Sequence, residues 1–192
     1  MFIDFLTLVM INLVAGTVLL AWYLWKGIDE KDQRAYAPAF LVIGLLGVIT
    51  GLEISFTWPL PGAYNVGFGD TSTLFGVVFL ATGLALWQGW SLLPTSIYAF
   101  FAAIDAIIVG LRIWSLQLTQ EPIISSAGFI LAGLSGLGVF PFLMWFRKNS
   151  TVRWIGIVLL LATAAIWAVT FYGALWGHLA SFAKYVPATM AK

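Results

Sequence analysis

The sequence contains no cysteine, a single histidine and few charged residues. Without cysteine the chain cannot form disulfides, build a zinc ribbon or hold an iron–sulfur cluster through thiolates. Charged residues make up 9% of the 192 positions, and the formal net charge is +1. Since nucleic-acid binding requires a clustered basic face, this balance argues against nucleic acid as a partner. We therefore expect no metal site, no cofactor and no nucleic-acid function.

Sequence motifs of catalysis are also missing. The chain has no GxSxG elbow that would place a nucleophilic serine on a strained turn. The G-x-G pattern of Gly67 and Gly69 lacks the third glycine and the preceding strand of a dinucleotide-binding site. The sequence therefore predicts a protein that is not an enzyme.

Apolar residues dominate what is present. Hydrophobic residues make up 61% of the chain, aromatic residues 16%, and the mean hydropathy is +0.99. Soluble proteins are about half apolar and a quarter charged, so this composition indicates an integral membrane protein. The first apolar run is too long for a cleaved signal peptide and ends in Trp22, Tyr23 and Trp25, which predicts that it stays as a membrane helix.

Runs of about 20 apolar residues predict six membrane-spanning helices. They cover residues 2–25, 38–58, 71–91, 94–116, 124–146 and 153–177. The expected fold is thus an all-α integral membrane bundle of six transmembrane helices. Residues 1–178 form the six-helix transmembrane domain, and residues 179–192 a short polar tail at the membrane interface.

Basic residues predict the orientation, because lysine and arginine near the ends of spans favour the cytoplasmic side. They cluster in the first and fifth connections, at Lys26, Lys31, Arg34, Arg147, Lys148 and Arg153. With six spans these two connections lie on the same side. Both termini are therefore expected on the outer side.

Small residues on two helices predict close helix contacts, because membrane helices associate where small side chains let the backbones approach. The second span carries Gly44, Gly47 and Gly51, and the fifth carries Gly133 and Gly136. Packing within the chain, a subunit interface and a narrow pore wall all remain open as roles for them.

Three ionisable residues lie within predicted spans, where a charge costs about 2.5–3.5 kcal/mol at the centre. Glu53 and Arg112 have similar depths near the outer side, which predicts an ion pair that either joins the second and fourth spans or serves a solute. Asp105 lies deeper, as a permeation or proton site or as a hydrogen-bonded structural acid. Asn12 in the first span is expected to make an interhelical hydrogen bond or to line a pore.

The stretch PLPGAYNVGFGD, residues 59–70, predicts an outer loop. Prolines end the second helix, the glycines permit turns, and Asp70 is placed to cap the third helix. Tyr64 and Asn65 are the two residues of this stretch to which helix termination, turn formation and capping assign the least. They either belong to an ordered outer turn or face a solute near Glu53 and Arg112.

This stretch, followed by LFG, resembles the signature of an uncharacterised prokaryotic membrane-protein family, a domain of unknown function. The layout is more distantly similar to the amide and urea channel family AmiS/UreI, through residues 74–76 (LFG) and 97–102 (IYAFFA). That resemblance implies a ring of subunits, a hexamer, in which each subunit has its own pore for small neutral amides. Phe75 and Phe79 match aromatic positions at the constriction of those channels.

Two functions are compatible with this sequence. The first is a channel or facilitator for a small polar solute: urea, a short amide, ammonia or a short carboxylic acid. The alternative is a non-catalytic accessory subunit of a larger membrane complex, such as a respiratory one. The expected partners are membrane lipids and other copies of the chain or other membrane subunits, in a prokaryotic plasma membrane.

Overall fold

A computed structural model describes residues 5–180, and within that range the chain is all helical, with six long helices and no strand. Their bounds are α1 Phe5–Trp22, α2 Ala37–Thr57, α3 Tyr64–Gln88, α4 Leu93–Leu116, α5 Pro122–Pro141 and α6 Ser150–Ala180. Single π-helical turns, Tyr23–Gly27 and Phe142–Phe146, extend α1 and α5. All six helices are long and apolar enough to cross a membrane. Residues 181–192 of the predicted tail lie outside the described residues.

The six helices alternate in direction, so that the bundle has two distinct ends. The basic end carries the connections 28–33, 89–92 and 147–149. The terminal end carries the start of α1, the end of α6 and the connections 58–63 and 117–121.

The helices form a ring in chain order. Each helix packs against the helices before and after it, and α6 returns to α1. Three neighbouring pairs pack most extensively: α2 with α3, α4 with α5, and α6 with α1. This arrangement leaves the axis of the ring as a space that side chains from many helices can line.

Glycines bring α2 and α3 into backbone contact. A Cβ atom built on Gly47 would lie 2.9 Å from the Cα of Gly76, and one built on Gly44 would lie 2.6 Å from the Cα of Leu80. A Cβ atom on Gly51 would lie 2.8 Å from the Cα of Thr73. Real Cβ atoms do not approach main chain so closely, so the glycines predicted to pack lie in this interface within one chain.

The glycines of α5 face α4 in the same way. A Cβ atom on Gly133 would lie 2.8 Å from the main-chain oxygen of Ala103, and one on Gly136 would lie 2.8 Å from the Cβ atom of the same alanine. Both glycines therefore serve packing inside the ring.

The third helix begins seven residues before the start predicted at residue 71, so the prediction of a loop over 59–70 is wrong for its second half. Tyr64 starts α3, and Gly67, Gly69 and Asp70 lie within the helix. Gly69 packs against α2, since its Cβ atom would lie 3.1 Å from the Ser55 nitrogen. Asp70 is not a cap: its Oδ1 accepts a hydrogen bond from the Ser55 hydroxyl at 3.1 Å. Gly69 therefore permits close packing, whereas Gly62, with φ +48°, serves a turn.

The connection 58–63 is held by one buried amide. Asn65 is 1% exposed. Its Oδ1 accepts from the Leu60 nitrogen at 2.9 Å, and its Nδ2 donates to the main-chain oxygens of Leu60 and Gly62. Trp58 ends α2 in the left-handed region, with φ 48° and ψ 53°. Asn65 therefore has a defined structural role in this turn.

Candidate functional site

A cavity of about 280 Å³ lies inside the ring of helices. Its wall is formed by residues of α1, α3, α4, α5 and α6, and α2 contributes Phe40. One buried water needs about 10–15 Å³ on a comparable measure, and drug-sized ligands occupy pockets of about 300–1,000 Å³. The cavity is therefore large enough for a small solute and at the lower limit for a larger ligand.

The cavity wall is mainly apolar. Apart from Tyr23 and Arg153 at the basic end and the Trp167 indole, its polar side chains carry a set of hydroxyl groups. These belong to Thr17, Thr71, Ser72, Thr82, Thr95, Ser96, Ser135 and Thr163. Six of the eight donate their hydrogen to a main-chain oxygen three or four residues earlier in their own helix, as Thr163 does to Leu159 at 2.8 Å. A hydroxyl that has donated its hydrogen still has a lone pair free to accept. The wall therefore offers hydrogen-bond acceptors to whatever the cavity holds.

Three aromatic rings end the cavity toward the terminal end of the bundle. Phe129 packs edge-on against Phe68, with ring centroids 5.4 Å apart, and against Trp167, with centroids 5.2 Å apart. Tyr64 stacks on Phe68 and does not line the cavity. We call Phe68, Phe129 and Trp167 the aromatic lid.

Phe75 and Phe79 line the cavity from α3, with ring centroids 4.3 Å apart. Gly16 of α1 makes room for them, because a Cβ atom there would lie 2.6 Å from Phe75 Cζ. Phe79 also stacks on Phe40 at 5.4 Å. The two phenylalanines therefore narrow the cavity from one side and are themselves fixed by packing.

A second, polar cavity of about 620 Å³ opens at the basic end. Its lining includes Lys31, Asp32, Gln33, Arg34 and Arg147. We call this cavity the basic vestibule.

Four residues line both the internal cavity and the basic vestibule: Tyr23, Ile28, Leu92 and Leu143. Tyr23 and Ile28 are each only 2% exposed. These four side chains are therefore the layer that separates the cavity from the vestibule, and we call them the gate.

Hydrogen bonds hold the Ile28 backbone at the gate. Arg147 Nη2 donates to the Ile28 oxygen at 2.8 Å, and Gln33 Nε2 donates to the same oxygen at 3.0 Å. The Tyr23 hydroxyl donates to Gln33 Oε1 at 2.5 Å. Two gate residues are thus positioned by polar groups of the vestibule.

An ion pair ties the connection 28–33 to the start of α6. Arg153 Nη1 lies 2.6 Å from Asp29 Oδ2, and Arg153 Nη2 donates to the Arg147 oxygen at 3.0 Å. The hydrogen bond from Arg153 lowers the pKa of the Asp29 carboxyl below its usual value. Asp29 is exposed, so the pair orients the connection more than it stabilises the fold.

The predicted ion pair between Glu53 and Arg112 is wrong. Within residues 5–180 neither side chain makes an ion pair or a hydrogen bond, and both are exposed on the surface of the ring. The physical reason is the position of α3, which packs between α2 and α4 and keeps these two helices apart.

Asp105 does not line the cavity. It is half-buried on α4, and its Oδ2 atom is buried with no hydrogen-bond partner among the described residues. The Asp70 carboxylate of α3 acts on it electrostatically. Asp105 therefore lies outside the cavity lining and within reach of a second acid.

Asn12 also lies away from the cavity, since its Nδ2 donates to the Ile43 oxygen at 2.9 Å and joins α1 to α2. The predicted pore residues are therefore dispersed, and among the described residues only Phe75 and Phe79 of that set line the cavity, together with the predicted packing glycine Gly136. The hydroxyl groups and Trp167 were not predicted. One signal in the sequence could have revealed two of them. Thr163 and Trp167 lie four residues apart, a spacing that puts two side chains on the same face of a helix.

Comparison with known proteins adds a family and no activity. No curated protein and no solved structure matches the chain. A family model described as a protein of unknown function (DUF981) matches residues 1–181. Since this match covers nearly the whole sequence, the chain belongs to the DUF981 family.

Proposed function

We propose that the chain is a membrane channel or facilitator for a small, neutral, polar solute such as urea, a short amide, ammonia or a protonated short carboxylic acid. The observation that carries the proposal is the internal cavity, which has hydroxyl groups on an apolar wall and borders the basic vestibule at the gate. Hydroxyl groups inside the ring give such a solute hydrogen-bond partners that the bilayer core lacks.

The charges along the cavity favour a neutral solute. Of the residues that line it within the described chain, only Arg153 carries a charge, and Arg153 lies at the basic end and pairs with Asp29. An ion would find no fixed counter-charge beside the hydroxyl groups, and an unpaired ion in such a site is strongly disfavoured. Hydroxyl groups can replace the hydrogen bonds that water makes to a neutral solute, and the desolvation free energy of such a solute is much smaller than that of an ion.

The proposed direction of the path follows from the basic residues. Lys31, Arg34 and Arg147 line the vestibule, and positive charge near span ends favours the cytoplasm. We therefore place the vestibule inside and both termini outside, in the plasma membrane of a prokaryotic cell. The gate then closes the cytoplasmic side of the cavity, and the aromatic lid closes the outer side.

Passage requires both closures to move. The gate is one layer of side chains thick, since its residues line the vestibule on one side and the cavity on the other. The aromatic lid is thicker, because buried Met10, Ile113 and Phe171 pack against it. Rotation of a side chain occurs in nanoseconds, and collective motions of helices take microseconds to milliseconds. In a facilitator of this kind the gate opens by side-chain rotation, and the lid opens by the slower movement of several side chains together.

The experiment is stopped-flow light scattering of proteoliposomes exposed to gradients of urea, acetamide and acetate. The wild-type protein is expected to speed the entry of at least one solute above that of empty liposomes. Ala132→Phe places a ring in the cavity, and this variant is expected to return the rate to that of empty liposomes. Val169→Phe, on the surface of α6 at a residue that is 70% exposed, is the matched control and should leave the rate unchanged.

Rates equal to those of empty liposomes for every solute would overturn the proposal. So would equal rates for wild type and Ala132→Phe, because the solute would then pass elsewhere.

The exposed charges favour assembly with other subunits. Glu53 and Arg112 lie within spans and are exposed, and neither has a partner within the described protomer. Charges in spans are usually paired or shielded. A second copy of this chain supplies both signs of charge, so we propose a homo-oligomer in which Arg112 of one protomer meets Glu53 of another.

Native mass spectrometry of the protein in nanodiscs tests this assembly. A homo-oligomer that dissociates in Arg112→Gln and reforms in the charge-swapped double variant Glu53→Arg with Arg112→Glu is the expected result. Monomers would contradict the proposed contact. A stable complex with a different membrane chain would instead support the accessory-subunit alternative.

A further inference from the structure

Trp167 has a hydrogen-bond donor that the described protein atoms leave without a partner. The side chain is 2% exposed, and its indole Nε1 is buried. Trp167 lines the internal cavity. An unpaired buried donor costs about 1–3 kcal/mol, so native proteins usually supply a partner, a water molecule or a ligand.

The surroundings fix this indole in place. A Cβ atom on Gly128 would lie 3.1 Å from Trp167 Cε2 and Cζ2, so a larger residue there would push the ring a few tenths of an ångström away from α5. Phe129 holds its other side edge-on. Helix packing gives the indole no protein acceptor, and Trp167 lines the cavity, so a partner reaches its N–H from the cavity. The Nε1 atom is fully buried in this structure, so the side chains around it must shift for that partner to bind.

Two hydroxyl groups lie one helical turn from the aromatic lid, on its basic-end side. Ser72 follows Phe68 by four residues on α3, and Thr163 precedes Trp167 by four residues on α6. Four residues correspond to about 6 Å along a helix. Both side chains line the cavity and are less than 5% exposed.

These hydroxyl groups differ in what they can offer. The Thr163 hydroxyl donates to the Leu159 oxygen at 2.8 Å, so it remains an acceptor. Ser72 is 4% exposed, and its hydroxyl has no partner among the described residues. Ser72 can therefore either donate or accept.

We propose that Trp167, Thr163 and Ser72 form a binding site for a small neutral carbonyl compound that also carries an N–H or O–H group. The carbonyl oxygen accepts from the Trp167 indole, and the N–H or O–H group donates to the Thr163 oxygen. Ser72 completes the set from the opposite helix. The site rests on the proposed function, because the solute that it binds is the one that the bundle carries.

Each chemical property required of the solute is set by a group of the protein. An ammonium or carboxylate ion is disfavoured because none of the three residues is charged. An apolar molecule leaves the indole N–H unpaired, and a molecule with donors alone does the same. A group that has an acceptor beside a donor, as in a primary amide or a protonated carboxylic acid, satisfies both sides of the site.

The test is a titration followed by NMR of the protein in nanodiscs with ¹⁵N-labelled tryptophan. The chain has 10 tryptophans, so the indole N–H region contains few signals, and Trp167→Phe identifies the signal of Trp167. Acetamide is expected to move this signal downfield in a saturable way while leaving the other indoles in place. Acetone, which only accepts, should shift it with weaker affinity, and isobutene, its isosteric hydrocarbon, should leave it unchanged.

A pair of variants separates the site from general effects on folding. Thr163→Val keeps the shape of the side chain and removes the acceptor, and it is expected to weaken acetamide binding about fivefold, the loss of one net hydrogen bond. Thr170→Val is the matched control, because Thr170 lies on the same helix with the same kind of bond, to the Ile166 oxygen at 2.9 Å, and does not line the cavity. The control should bind acetamide like wild type.

An indole signal that acetamide does not move at any concentration would overturn the site and leave a buried water as the partner of Trp167. Equal affinity in the Thr163→Val and Thr170→Val variants would also overturn it. The flux experiment is independent: saturable binding without flux would refute the proposed function alone, and flux without a Trp167 shift would refute the site alone.

Discussion

Replacing Gly76 by alanine should separate α3 from α2. The new Cβ atom would lie 2.6 Å from the carbonyl carbon of Gly47 and 2.8 Å from the oxygen of Gly44. These neighbours are main-chain atoms of α2, which cannot rotate away as a side chain does. To reach an ordinary contact of about 3.5 Å, the two helices must move apart by about 1 Å.

The size of the effect can be worked from this geometry. Overpacking a well-packed interface costs about 1–3 kcal/mol. The three nearest neighbours of the new Cβ atom are main-chain atoms, which places Gly76→Ala near the upper value. The higher helix propensity of alanine relative to glycine stabilises the fold by about 1 kcal/mol. A net destabilisation of about 2 kcal/mol is therefore expected.

Gly173→Ala is the matched control. A Cβ atom at Gly173, also within a long helix, would have no neighbour within 4 Å among the described atoms. It should be neutral or stabilising by up to about 1 kcal/mol. Reversible unfolding in mixed micelles with increasing sodium dodecyl sulfate, followed by circular dichroism, measures both variants. Equal midpoints for Gly76→Ala and Gly173→Ala would refute the backbone contact between α2 and α3.

Three further predictions concern the connections and the gate. Asn65→Ala should destabilise the fold by about 1–3 kcal/mol and speed amide exchange at Leu60, which hydrogen-exchange mass spectrometry measures; an unchanged rate contradicts the role of Asn65 in the turn. Because Arg153 lowers the pKa of Asp29, their ion pair contributes above the ordinary pKa of the carboxyl and is lost as pH falls through the lowered value; a carboxyl ¹³C titration should move to higher pH in Arg153→Gln. Ile28→Ala thins the gate and should raise acetamide flux severalfold in proteoliposomes, and an unchanged rate argues against this layer as the barrier.

The number and type of the helices were predictable because they depend on hydropathy, which is local. Six apolar runs predict six spans, and within residues 5–180 the structure has six helices that are long and apolar enough. The start of α3 was not predictable in the same way. Glycine at positions 67 and 69 fits either a turn or a close helix contact, and only the position of Ser55 on α2 decides between them for Gly69.

The position of side chains around each helix was the harder part. Glu53 and Arg112 were matched by depth alone, and depth does not reveal that α3 lies between their helices. The hydroxyl groups that line the cavity could not be predicted from the sequence for a related reason. Thr163 inside the cavity and Thr170 outside it make the same bond to their own helix, so the sequence does not distinguish them.

The most direct measurement of solute passage through the ring uses the absence of cysteine from the chain. Ala106 lines the cavity, so Ala106→Cys places a unique thiol on the proposed path. In proteoliposomes that carry this variant, benzyl methanethiosulfonate is expected to reduce acetamide flux to that of empty liposomes, and dithiothreitol to restore it, while the cysteine-free wild type responds to neither reagent. Complete modification of the thiol with no loss of flux would contradict passage through the cavity.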